Sequence, residues 1–295
     1  MSDTASLDTM TKTPIGDGFG VELSGIDLAA ATDAALAEIA RLYRQGSVMV
    51  IRGQSLSPDQ LVRFGQALGP LENHTREQFT LPGYPTVYIL SNKEVDGKRI
   101  GVHRDGMGWH TDGSYLREPL DTTVLYALES PPEGGDTLLA DMRAAYEALP
   151  AEEREALADL EVLHSFVFLI GQLDPQARSV VTAEQAERAP DVVHPLVLTR
   201  GDGSRSLYLS SGSTREIVGE EPEAGRQRVR DLIAHATQDR FIYRHKWRVG
   251  DILVWNNRHT MHRATEYDDK AYIRLVHRLW VAGQGGLAGQ GGLSA

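Results

Sequence analysis

The chain has 295 residues, with 30 basic side chains against 41 acidic ones for a formal charge of −11, and no long Lys/Arg run offsets it; this excludes the cationic footprint on which nucleic-acid binding depends. It has no cysteine, which excludes disulfides, thiolate metal sites and cysteine nucleophiles and leaves His, Asp and Glu as metal ligands. Met1–Lys12 lacks the apolar core of a signal peptide and no run of about 18 apolar residues occurs, so a soluble cytoplasmic protein without a membrane partner is expected.

In chain order, residues 1–12 are polar and rich in Ser and Thr, and are expected to form a disordered arm. Residues 13–281 are expected to form a single domain, because no internal linker divides them. Asp33 to Gln45 follows a Thr-Asp start signal and spaces Leu36, Ile39, Ala40 and Tyr43 as a helix does; Ser57-Pro58-Asp59-Gln60 opens a second helix through about Leu68. Strands are predicted at Val48–Ile51, Thr86–Leu90, Thr122–Leu128, Thr137–Ala140, Leu160–Leu169, Val192–Leu198, Ser206–Leu209, Phe241–Arg244, Ile252–Asn256 and Tyr272–Val281. So many short strands suggest a barrel or jelly roll. Two segments, Ser91–Gly108 and Gly171–Pro190, break this rhythm and read either as binding loops or lids or as disordered connections. Residues 282–295 carry Ala-Gly-Gln-Gly-Gly-Leu twice and are expected to be a glycine-rich, disordered tail.

Chemistry concentrates at a few places. His110-Thr111-Asp112 sets an imidazole and a carboxylate at positions i and i+2, which in an extended segment face the same way roughly 6.6 Å apart. With a distant third ligand such as His262, they would make the 2-His-1-carboxylate arrangement of non-heme iron sites. By itself His-x-Asp is weak evidence, since ten histidines meet 41 acids often by chance. Along Tyr272–Val281, alternation places Arg274 and Arg278 on one face with Tyr272, Val276 and Trp280. Such a pair either faces water from an edge strand or, if buried, needs anions to satisfy its donors. Glu133-Gly134-Gly135-Asp136-Thr137 is a turn entering a strand, and Thr137 could add a hydroxyl beside an anion.

Trp109-His110-Thr111-Asp112, Gly134-Gly135-Asp136-Thr137, Trp255-Asn256-Asn257-Arg258 with His262 after it, Arg274 and Arg278, and the early Gly20–Leu28 stretch occur together in this order. The combination resembles the taurine dioxygenase/aryloxyalkanoate dioxygenase (TauD/TfdA) family of Fe(II)- and 2-oxoglutarate-dependent oxygenases, from roughly Gly18 to Val281. The resemblance implies a mainly β fold with flanking helices, the double-stranded β-helix or cupin-like jelly roll. It also implies Fe(II) on His110, Asp112 and His262, the distal carboxylate of 2-oxoglutarate on Thr137 and Arg274, and a substrate anion at or near Arg278. Dioxygen completes the cosubstrates, and oxidation of a C–H bond, most simply hydroxylation, would release succinate and CO2. Asp112 fills the position that related halogenases leave to a small residue, so halogenation is not expected.

Asn256 stands where the family commonly has Asp, and is expected to support the turn without binding metal. His259 is the rival to His262, and the family spacing favours His262. His74, Tyr115 and Arg104, with His103 beside it, are candidate substrate contacts. Desaturation, cyclisation or decarboxylation are alternative outcomes, a non-catalytic metal and 2-oxo-acid sensor is an alternative role, and a zinc hydrolase would leave Thr137 and Arg274 without a task. The expected partner is a small anionic molecule; homo-oligomer formation, pathway and substrate identity stay open.

Overall fold

Two sheets face each other in the computed structural model, which describes residues 9–74, 77–173, 181–182, 186–187, 189–200 and 203–283. The larger sheet runs in the order Thr11–Ile15, Gly20–Ser24, Val48–Ile51, Ile252–Asn256, Thr122–Glu129, Leu275–Val281, Tyr84–Ser91 and Thr80–Leu81. Its strands are antiparallel neighbours except for Gly20–Ser24 beside Val48–Ile51, which are parallel. The smaller sheet has Thr137–Asp141 between Ile242–His245 and Thr260–Ala264. This is the jelly roll expected from the many short strands.

Alternation along each strand explains how both faces are covered. Val124, Tyr126, Val254, Leu279 and Val281 point outward and join Leu36, Ile39, Leu61 and Phe64 of the helices Asp33–Tyr43 and Pro58–Leu68. Leu125, Ala127, Leu253, Trp255 and Val276 point inward and meet Leu139 and Trp247 of the facing layer. Each buried apolar side chain of this kind contributes on the order of 2 kcal/mol. A further core gathers Met142, Tyr146, Leu157, Leu196, Leu209, Val229 and Leu232.

Both predicted helices form, the second with a complete capping box between Ser57 and Gln60. The predicted strand Leu160–Leu169 is corrected. It is a strand only over Glu161–His164, and Phe166–Leu173 is a helix. Ser165 turns the chain: its hydroxyl accepts from Phe168 N at 3.1 Å and its carbonyl from Leu169 N at 3.1 Å. The last strand begins at Leu275, because Arg274 N donates to the Asn92 side chain and Tyr272 and Ile273 are exposed. Three helices went unpredicted, Met142–Glu147, Ala151–Leu157 and Pro222–Ala236, although Asp141 and Glu221 cap the first and last through their carboxylates. Ser91–Gly108 contains a small hairpin, Glu94–Val95 with Lys98–Arg99. Residues 1–8 of the expected arm, 284–295 of the expected tail and much of the Gly171–Pro190 segment lie outside the described residues. Among the described residues no helix is long and apolar enough to cross a membrane.

Candidate active site

His262 lies on the strand Thr260–Ala264, and the segment holding His110 is bonded directly to it. The two residues exchange both backbone hydrogen bonds, His110 N to His262 O at 2.9 Å and His262 N to His110 O at 2.8 Å. Their rings are thereby held with centroids 4.0 Å apart. Asp112, two residues on, sets Oδ1 3.7 Å from His110 Nε2 and Oδ2 3.7 Å from His262 Nε2. One ligand atom from each residue lies within 4.8 Å of the other two, and among the described residues this is the one such cluster. His259 is buried nearby but is not part of it. Two imidazoles and a carboxylate, without sulfur, suit Fe(II), and three ligands leave coordination positions open.

The surroundings set the charge state of these three side chains. His110 Nδ1 donates to Gly108 O at 2.8 Å, leaving Nε2 free of its proton. Burial pushes the His262 imidazole far below its ordinary value, so it stays neutral as a ligand must. Burial alone would raise the Asp112 carboxyl, but His262, the Arg278 guanidinium, His110 and the Thr123 hydroxyl outweigh it and hold the group well below the usual carboxylate range. Asp112 Oδ2 accepts from Thr123 Oγ1 at 2.7 Å and from Trp280 Nε1 at 3.3 Å. Thr123 in turn accepts from Asn257 Nδ2 at 3.0 Å, and Asn257 Oδ1 accepts from Trp255 Nε1 at 2.9 Å. Asn256, the residue singled out in the sequence, instead accepts from Arg258 N at 2.8 Å and shapes the turn.

Thr137 and Arg274 line one cavity with the three ligands and Arg278. Gly134 and Gly135 have φ of +74° and +65°, and a Cβ on Gly135 would lie 3.3 Å from Arg274 Cδ, so the turn needs glycine to admit that side chain. Trp247 Nε1 donates to Thr137 Oγ1 at 3.1 Å, which leaves the Thr137 hydroxyl proton for another acceptor. Arg274 donates from Nε to Gly135 O at 3.3 Å. Among the described residues no carboxylate pairs with its guanidinium at salt-bridge distance. Burial lowers it to about 10, so it remains a cation at neutral pH.

On the other side of Arg278 a cavity of about 150 Å³ reaches His110 and Asp112 between walls that include Tyr88, Trp280, Tyr115 and Phe166. The Arg278 guanidinium stacks over Trp280 at 4.5 Å and Tyr88 at 4.8 Å. His74 sits between the same two rings, with centroids 4.4 and 4.7 Å away, and burial, aided by Arg278, lowers it to about 3. Tyr115 packs on Phe166 at 5.2 Å. Arg104 is exposed and bonded to Asp269 at 2.8 Å; it lines a neighbouring cavity with His103 and Arg274, not the one with the aromatic walls. Asn257, Thr123, Trp280 and Phe166 were not singled out in the sequence. Asn257 lies within the Trp255–Arg258 pattern and Trp280 on the face of the two arginines, whereas Thr123 and Phe166 carry no such signal.

The profile of the taurine catabolism dioxygenase TauD, TfdA family matches residues 11–280. The chain is 34% identical over 276 residues to the alpha-ketoglutarate-dependent 2,4-dichlorophenoxyacetate dioxygenase of Cupriavidus pinatubonensis, covering 89% of this chain and 94% of that protein. It is 30% identical to the alpha-ketoglutarate-dependent sulfate ester dioxygenase of Pseudomonas putida, covering 92% and 89%. A solved structure of AAD-2 in complex with Mn(II) and N-oxalylglycine superimposes with a TM-score of 0.80 at 30% identity, covering 95% of this chain and all of that one.

Proposed function

The chain belongs to the TauD, TfdA family and is an Fe(II)- and 2-oxoglutarate-dependent dioxygenase, and from that premise we propose that it hydroxylates a C–H bond of a small organic anion with an apolar, preferably aromatic, body. His110, Asp112 and His262 hold the iron in this reading. Thr137 and Arg274 take the distal carboxylate of 2-oxoglutarate. Arg278, with His74 beside it, takes the substrate anion, and Tyr115 walls the substrate cavity. Arg104, paired with Asp269, lines the adjoining cavity with Arg274 and not the substrate cavity of this reading.

When bound, iron, 2-oxoglutarate and O2 supply the oxidising equivalents, and 2-oxoglutarate leaves as succinate and CO2. The protein supplies charge and position. Asp112 stays ionised because donors and cations converge on it. Arg274 offers a bidentate fork from a partly buried pocket, where its attraction for a carboxylate is screened less than in water. Arg278 anchors one end of the substrate, and Tyr88, Trp280, Tyr115 and Phe166 confine the rest beside the ligand cluster.

The single observation that carries this reading is Arg274. Its guanidinium is half-buried, without a carboxylate partner among the described residues, in the same cavity as two imidazoles and an ionised carboxylate. A cation is costly to bury unless an anion completes it. The relatives named above act on an aryloxyacetate and on sulfate esters, by their names, and an aromatic cavity ending in Arg278 fits organic anions of that kind.

Anaerobic addition of Fe(II) and then 2-oxoglutarate should produce a metal-to-ligand charge-transfer absorption. Arg274→Ala should weaken the 2-oxoglutarate dependence of that band about 100-fold, the scale of removing one partner of a buried charge pair. Oxygen uptake coupled one to one with succinate, on addition of an aryloxy carboxylic acid, should follow in the unmodified protein. No band with wild-type protein would overturn the reading, whereas a band without coupled turnover would favour the sensor.

A further inference from the structure

The charged side chains lining the aromatic cavity are one guanidinium, Arg278, and two carboxylates, Asp105 and Asp112. A cavity meant for an anion therefore carries more negative than positive charge before any ligand arrives. A divalent metal offsets Asp112. Asp105 is hydrogen-bonded to Arg278 and also lines the adjoining cavity that holds Arg274.

The contact is built into the chain. Asp105 Oδ2 lies 3.4 Å from Arg278 Nη1, and among the described residues this is the hydrogen bond its carboxylate makes. The backbone on both sides is tied. Asp269 holds His103 at 2.9 Å and Arg104 at 2.8 Å, while Gly106 O accepts from Ala264 N at 2.7 Å. Arg104 and Gly106 both have positive φ, +58° and +72°, so the chain bends sharply on either side of Asp105. Its side chain is about one-third exposed and reaches the edge of the cavity, whereas Arg278 is one-tenth exposed and fixed between two rings. Arg278 Nε is buried without a hydrogen-bond partner among the described residues, and its Nη1 lies 3.9 Å from Asp112 Oδ1.

We propose that Asp105 is a specificity-determining residue: it is the internal counter-ion of Arg278, and a substrate anion must displace it by turning its side chain out of the cavity. The idea rests on the reading that Arg278 receives the substrate anion. Displacement opposes the binding of every anion equally. Only a molecule that also buries an apolar body against Tyr88, Tyr115, Phe166 and Trp280 recovers the loss, so small or inorganic anions are held off the guanidinium. Asp105 thus converts a general anion site into one that demands charge and hydrophobic surface together.

Intact protein loaded with Mn(II) would be titrated with 2,4-dichlorophenoxyacetate, its uncharged amide and acetate, following the fluorescence of the tryptophans, one of which, Trp280, lies under Arg278. Asp105→Asn preserves shape and removes the charge. It should bind the acid about tenfold more tightly than wild type, bind acetate measurably, and leave the amide unchanged. Asp105→Ser should behave alike, and circular dichroism checks that both fold. Equal or weaker binding of the acid by both variants would overturn the proposal, since Asp105 would then only orient Arg278. Arg278→Ala separates the two ideas: if it binds the acid as wild type does, the assignment of Arg278 to the substrate is what fails.

Discussion

Asp112 owes its charge state in part to side chains outside the ligand set, Arg278 and Thr123. Thr123 is its nearest donor, and Asn257 orients Thr123 while holding the Trp255 indole. Asn257→Ala removes that orientation and leaves a buried indole N–H unpaired. Mn(II) affinity, measured by titration without cosubstrate, should fall about 10- to 100-fold, the usual cost of losing such outer support. An unchanged affinity would show that Thr123 needs no help. His110 and Asp112 were legible in the sequence because a spacing of two settles which way both side chains face. Asn257 was not, because its contact depends on strand register: Trp255 pairs with Thr123, which brings the residue two positions on over the hydroxyl. The choice of His262 over His259 has the same origin, for it is His262 that exchanges backbone bonds with His110.

At the scale of elements, strong alternation or clear caps read correctly and short apolar runs did not. Val48–Ile51 and Ile252–Asn256 form as predicted, whereas Phe-Val-Phe-Leu-Ile after Ser165 has strand-like residues yet is helical. A run that short fits either element, and the Ser165 cap decided it. The parallel pairing of Gly20–Ser24 with Val48–Ile51 depends on a missing side chain. Gly20 is paired with Val48, and a Cβ there would lie 2.1 Å from the Val48 carbonyl oxygen. Gly20→Ala should force the two strands apart and destabilise the protein by about 1–3 kcal/mol. The urea midpoint should fall at unchanged slope; a wild-type midpoint would mean that the strands part at no cost.

At the scale of the whole molecule, His74, His164 and His277 are among the histidines that burial keeps neutral, His74 and His164 lowered to about 3 and His277 to about 4, each chiefly by burial. In the unfolded chain they titrate near 6.5. Between that value and the folded ones the unfolded chain binds more protons, so stability rises with pH there and is lost as pH falls below about 6.5. Between about pH 6.5 and 5 each histidine should cost about 2 kcal/mol, seen as a falling urea midpoint; a midpoint independent of pH in that window would contradict their burial. The sequence by itself determined the donor chemistry. Without cysteine the ligands had to be His and carboxylate, the His110–Asp112 spacing set two of them side by side, and the alternation of the last strand put Arg274 and Arg278 on one face. Only the tertiary structure decided which partners those groups meet: Asn257 under Thr123, Asp105 against Arg278, Arg274 without a carboxylate partner among the described residues. The physical reason is that covalent spacing acts within a few residues. Contacts between strands instead follow the register of backbone hydrogen bonds, which depends on how the whole core packs.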